Sequence, residues 1–279
     1  QMSSYMSSYA NDATSEIPIY QLYAAEDNPG EIALVAPKYF FNYSDRHHLT
    51  GASSRWLGEY YGKVMKQVVI DHEDWRPLSP DVVTRSGNII YADFHVPEGE
   101  LAFDTTLVSP RTNYGFEYYD TTSSSTISSV ELLDSDTVKV TLSGTPTGSN
   151  QRLRYAYTGV PGTNTGAQNA GSAAGNLRDT DPFPSLYGNT LYNWSVHFDE
   201  PIITDATGPS NSGISTTPSI NSVSVDWTTD ENGTSIVDYG LTNAYSVSTA
   251  ETDTITRVTS HSKSISSLLP CTTYHYRVR

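Results

Sequence analysis

Cysteine is almost missing: Cys271 is alone among 279 residues, so no intrachain disulfide can form. That excludes a disulfide-stapled scaffold and leaves burial and hydrogen bonding to hold the fold. Its setting, Leu268-Leu269-Pro270-Cys271-Thr272-Thr273-Tyr274, reads as a buried turn or strand position. Basic charge is scarce as well, with 16 Lys and Arg against 31 Asp and Glu and a formal net charge of −15. Such a surface repels nucleic acid and anionic membrane, and no Lys/Arg cluster interrupts it. No apolar run of about 20 residues is present, which excludes a transmembrane helix. No twelve-residue EF-hand calcium loop is present, and no signal-peptide pattern is visible, which says nothing about secretion because the chain reads as beginning inside a domain. The length is sufficient for two or three domains, and the 37% hydrophobic content with 20 tyrosines suits β-rich cores.

What is present centres on Tyr43-Ser44-Asp45-Arg46-His47-His48-Leu49-Thr50. The stretch follows an extended Ile17 to Tyr23 segment, a turn at Ala24 to Gly30 and an apolar strand-like run, Ile32 to Pro37. It precedes a segment from Gly51 to about Val69 with Trp56, Leu57, Tyr60, Tyr61, Val64 and Met65 at helical spacing. An Asp and a His three apart on a strand-to-helix loop can bond to each other as orienting acid and general base. The bland alternative is a surface hydrogen bond or helix cap. His47 reads as a solvated neighbour, and with no third ligand at suitable spacing the histidine pair is not a metal site.

Asp45-x-x-His48-Leu49-Thr50, a Gly and the aromatic helix through Leu57-Gly58-Glu59-Tyr60 together resemble the last conserved block of SGNH (GDSL-like) hydrolases. The resemblance implies a flavodoxin-like α/β domain in which His48 activates a serine and Asp45 orients His48. Ile32 to Pro37 would be its final parallel strand. The departure is upstream: the family's nucleophilic Ser and oxyanion-hole Gly and Asn have no counterpart in residues 1–44. Ser3, Ser4, Ser7, Ser8 and Ser15 lie in a polar stretch without a preceding buried strand. Residues 1–75 are therefore expected to be the C-terminal portion of such a domain, needing an upstream segment, with the nucleophile outside this chain and no cofactor.

From 76 to 205 short runs alternate with polar turns: Val82 to Thr84, Asn88 to Val96, Leu101 to Asp104, Tyr114 to Tyr119, Ser128 to Leu132, Thr137 to Leu142, Arg152 to Tyr157 and Tyr192 to Phe198. The alternation predicts an antiparallel β-sandwich. It is similar to sandwiches appended to SGNH-type hydrolases, in Gly175 to Asp179 and Leu191 to Trp194. A long Gly/Asn/Ala loop from Gly159 to about Gly188 is expected to be functional or mobile. Trp75, Tyr118, Tyr119, Phe183, Tyr187 and Trp194 are candidates for stacking on sugar rings, against the commoner packing role.

Residues 206–218, rich in Gly, Pro and Ser, read as a linker. Over 219–279, Ile220 to Trp227, Thr234 to Gly240, Thr254 to Thr259, Ser262 to Ile265 and Thr273 to Val278 form a second β pattern. Ser222 to Glu231, Val237 to Gly240 and Leu268 to Arg279 resemble a fibronectin type III-like domain, with Cys271 where that family usually has Gly. The domain reads as incomplete, lacking a last strand, and both chain ends read as cut. Asn42, Asn193 and Asn232 head N-glycosylation triplets, a pattern frequent by chance.

Two function classes follow. One is a secreted or surface multidomain ester hydrolase acting on acyl esters of carbohydrates, through Asp45, His48 and a Ser supplied from elsewhere. The other is a non-catalytic structural or adhesive module of an extracellular filament, sheath or surface assembly. Expected partners are a glycan or acyl-ester substrate and upstream sequence or neighbouring copies, in a homo-oligomer or filament, at the cell surface or outside it.

Overall fold

A computed structural model describes residues 14–45, 48–160, 166–204, 209–254 and 257–279. The chain divides into two compact units, Gln1–Asp205 and Ala206–Arg279. It consists mostly of β-sandwich sheets, with few helices.

The first unit opens with helix α1, Glu16–Asp27, where extended chain was expected. Ile and Tyr suit strands, but Pro18 falls in the first helical turn, where its missing N–H costs no bond, and Ile19 and Leu22 fall on one buried face. Asn28 Nδ2 donates to Ala24 O at 2.8 Å, and Gly30 (φ +80°) ends the turn. Residues 32–37 bury Leu34, Val35 and Ala36, yet among the described residues they pair into no sheet. The expected final parallel strand is an extended segment, held in part by Trp75 Nε1 donating to Leu34 O at 3.0 Å.

Helix α2, Gly51–Met65, continues as a π-helix, Lys66–Asp71, that ends at His72 in the left-handed region. Thr50 caps α2 by accepting from Ser53 N at 3.1 Å. Leu57, Tyr60 and Val64 face the core, whereas Tyr61 and Met65, on the expected apolar spacing, are exposed.

The sandwich follows. Its strands are β1 (Ser79–Ser86), β2 (Ile89–His95), β3 (Ala102–Phe103), β4 (Phe116–Tyr119), β5 (Ile127–Leu132), β6 (Thr137–Leu142), β7 (Arg152–Tyr155), β8 (Leu177–Arg178), β9 (Phe198–Pro201) and β10 (Ile203–Thr204). One sheet runs β10-β1-β2-β6-β5, another β4-β7-β9, with β3-β8 beside them; all pairs are antiparallel except β1 with β10. Alternation works as expected in β2 and β6, where Ile90, Ala92, Phe94, Val138, Val140 and Leu142 point inward. Phe94 meets Phe198 across the layers, and Phe198 stacks on Tyr155 at 5.5 Å.

The same core takes in Leu22, Leu34, Phe40, Phe41, Leu57 and Tyr60, so the segment before residue 76 and the sandwich share one interior. Tyr39 joins them: its hydroxyl donates to Ser195 O at 2.7 Å and its ring meets Trp194 and His197 edge-on. Much of the long loop is interior too. A Cβ on Gly175 would come within 2.0 Å of the Tyr155 ring, so only glycine fits there. Asn176 beside it donates to Asp104 O and Val108 O and accepts from Arg111 N. Residues 161–165 of this loop lie outside the described residues.

The second unit contains β11 (Asn211–Pro218), β12 (Val223–Gly233), β13 (Val237–Gly240), β14 (Val247–Ser248), β15 (Val258–Ile265) and β16 (His275–Val278). Two sheets, β11-β12-β15 and β14-β13-β16, enclose Val225, Trp227, Val237 and Ile265. The expected linker is in large part strand β11, every residue of it exposed, because its Ser and Thr backbone bonds along β12 without needing burial. The end of the run expected at 254–259 and the run expected at 262–265 are joined as β15, with residues 255 and 256 outside the described residues. Cys271 is exposed rather than buried, and its φ of +55° accounts for a Gly being the usual occupant of such a turn.

Candidate functional site

The loop between Tyr43 and Leu49 is pinched by a bridge between those two residues, and Ser44 N donates to His48 O at 2.9 Å. Leu49 then leads into the Thr50 cap, so the start of α2 fixes where His48 leaves the chain. Asp45 bonds His48 twice. Its Oδ1 accepts the His48 backbone N–H at 2.7 Å, and its Oδ2 lies 2.8 Å from His48 Nδ1. The carboxylate therefore fixes backbone and ring together. It favours the tautomer with the proton on Nδ1, which leaves basic lone-pair character on Nε2.

The couple is at the surface, with His48 and Asp45 side chains 79% and 52% exposed. At that exposure an ion pair adds little stability, so its value lies in orientation. Among nearby hydroxyls, Ser44 Oγ donates to His48 O at 3.1 Å. Ser15 is buried at the start of α1, with its N–H on Tyr157 O. Ser3, Ser4, Ser7, Ser8 and His47 lie outside the described residues, and among the described residues no group of three His, Cys, Asp or Glu gathers to hold a metal.

The sugar-stacking candidates separate. Trp194 is 1% exposed and stacked on Phe40, so it is a core residue and not a binding surface. Tyr118 donates to Asp120, Tyr119 is covered by Arg154, and Tyr187 by Arg55. Trp75 and Phe183 come to one open region beside the C-terminal part of α2.

Sequence reading missed a buried polar cluster there. Lys63 Nζ donates to Leu191 O and Asn193 Oδ1 and pairs with Asp181 at 2.6 Å. Asn193 in turn donates to Asp179. Burial pushes the Lys63 ammonium below its usual range, opposed by Asp181, and burial raises Asp179. The only advance signal was a Lys on the apolar spacing of a helix; its partners come from about 130 residues away.

Comparison with known proteins bears on the second unit. Residues 209–279 match the family model of the purple acid phosphatase N-terminal domain. The match covers less than half of the chain. No curated protein matches. Among solved structures, the central fibronectin-III array of RIM-binding protein is similar over 73% of this chain and 62% of its own length, at 14% identity. Its TM-score is 0.21, too low to carry an argument. The chain thus spans less than two thirds of that array. The region read as fibronectin type III-like is a β-sandwich region with a family match of its own.

Proposed function

We propose that this chain is part of a multidomain ester hydrolase of SGNH type, with Asp45 and His48 as orienting acid and base and the nucleophilic Ser supplied from outside the chain. The observation that carries the reading is the pair of hydrogen bonds between His48 and Asp45, backbone N–H to Oδ1 at 2.7 Å and ring Nδ1 to Oδ2 at 2.8 Å. His48 Nε2 would take the Ser proton as its oxygen attacks the acyl carbonyl, then return it to the leaving alcohol. The resemblance of Asp45-x-x-His48 and α2 to the last SGNH block supports it, and residues 1–75 would be the C-terminal portion of the α/β domain. Carbohydrate acyl esters at the cell surface are the substrate class in this reading, and the β regions are accessory domains. The second unit would be an appended sandwich of the kind that precedes the rest of purple acid phosphatases.

The test is hydrolysis of p-nitrophenyl acetate by the native polypeptide carrying these residues. His48→Ala should lower kcat by about 10³-fold or more, and Asp45→Asn should shift His48 away from its Nδ1-protonated tautomer in ¹⁵N spectra. Unchanged turnover in His48→Ala would refute the assignment.

A second reading, a structural or adhesive module, is favoured by β11, an exposed eight-residue strand at a sheet edge. Such an edge can pair with another chain. Thr216→Pro would then reduce assembly size in light scattering; an unchanged size would exclude pairing through β11.

A further inference from the structure

Trp75 and Phe183 are brought together by segments more than 100 residues apart, at a place neither the dyad nor the family match explains. Trp75, Gln67, Glu73 and Pro97 line two adjoining hollows, one of about 840 Å³ and one of about 460 Å³. Each lies within the span of about 300–1,000 Å³ common for small-ligand sites. In the larger hollow the indole is accompanied by Glu26, Arg76, Ser79, Asp81 and His95. In the smaller one it is accompanied by Phe183, Lys63, Lys66, Asp71 and Asn193.

The indole is a fixed platform. Its Nε1 is committed to Leu34 O at 3.0 Å, and Lys63 Nζ lies 5.9 Å from its ring centroid and 5.6 Å from that of Phe183. Phe183 is anchored through its own N–H, which donates to Asp181 Oδ1 at 2.7 Å. Flat rings flanked by hydroxyl-bonding acids, amides and cations are the surroundings a pyranose requires: apolar C–H faces against the ring, hydroxyls outward. Charge narrows the class. In the larger hollow Glu26, Glu73, Asp74 and Asp81 outnumber Arg76, whose guanidinium is already bonded to Asp81 and Pro80 O. A uronic-acid chain would meet repulsion there.

We propose that this cleft binds a neutral oligosaccharide, with Trp75 as the stacking platform between two subsites and Phe183 as the second aromatic contact. The site is separate from the dyad, and the proposal stands whether or not Asp45 and His48 are catalytic.

Calorimetric titration of the purified chain with cellotetraose, maltotetraose, N-acetylchitotetraose and tetragalacturonate tests it. At least one neutral tetrasaccharide should bind with a Kd of about 1 mM or tighter, and tetragalacturonate about tenfold more weakly or not at all. Trp75→Ala should weaken binding about tenfold and Phe183→Ala a few-fold, with Arg55→Ala, which lines neither hollow and covers Tyr187, unchanged. If Trp75→Ala fails to fold, Phe183→Ala carries the test, with its thermal melt as the check on folding. No binding of any neutral probe at about 10 mM, preference for the anionic one, or full affinity in a folded Phe183→Ala would overturn the proposal.

Discussion

Glu200 on β9 shows how the interior of the first unit sets its response to pH. Burial, then the charge of Glu26 and, after the opposing Arg152, of Asp199, push its carboxyl up to about 7. The folded state thus holds this proton more tightly than the unfolded chain, so the contribution is full below the unfolded pKa of about 4.5 and is lost as pH rises through about 7. Glu200→Gln, which keeps the shape and removes the charge, should raise Tm by about 2–5 °C at pH 8, allowing for solvent screening, and change it little at pH 5. A gain of equal size at both values would show that ionisation is not the cause. His197 has the opposite sign: burial lowers it to about 4, although its Nδ1 lies 2.6 Å from Ala156 O, and its contribution is lost as pH falls from about 6.5 through 4. Neither environment was legible in the sequence, because both depend on segments that meet only after folding. The Asp45–His48 contact was legible, because its partners are three residues apart and local geometry decides it.

Helix α2 connects the dyad to the core, and its start is where local sequence acts most directly. Thr50 supplies the cap, and the same short stretch carries the bond from Ser44 N to His48 O and that from Thr50 N to Asn42 O. Thr50→Ala should cost about 1 kcal/mol in urea unfolding and broaden the His48 ring signals relative to those of buried His197, because the loop is held from the helix end. Sharp, unshifted His48 signals in the variant would mean that the Tyr43–Leu49 bridge alone holds the loop. The helix was readable from Trp56, Leu57, Tyr60 and Val64, and strands β2 and β6 from their alternation. Ile17 to Tyr23 was not, because β-branched and aromatic residues favour strands until burial of Ile19 and Leu22 on one face overrides them. Thr216 and Thr217 misled in the other direction: polar composition suggested a linker, whereas an edge strand needs only a neighbour for its backbone.

At the scale of the molecule, the separation into two cores is the feature with the plainest thermodynamic consequence. One interior runs from Leu22 through the sandwich to Ile202, and the other consists of Val225, Trp227, Val237 and Ile265, with Val223, Tyr239, Leu268 and Val278 partly buried around them. Apolar burial is what makes unfolding cooperative, so each core defines its own transition. Unfolding enthalpy scales with length at about 0.7 kcal/mol per residue near 60 °C, which gives about 140 kcal/mol for the first unit and about 50 kcal/mol for the second. Among the described residues the second has four buried apolar side chains, and it should melt first. Calorimetry of the whole chain should then resolve two endotherms in roughly that ratio of areas, and a chain ending at Asp205 should keep the larger one and lose the smaller. The shared interior also predicts that residues 1–75 alone give no cooperative transition, since Leu34, Phe40 and Leu57 would lose the sandwich side chains they pack against. A single endotherm for the whole chain, shifted as one when residues 206–279 are removed, would show instead that the two cores unfold together.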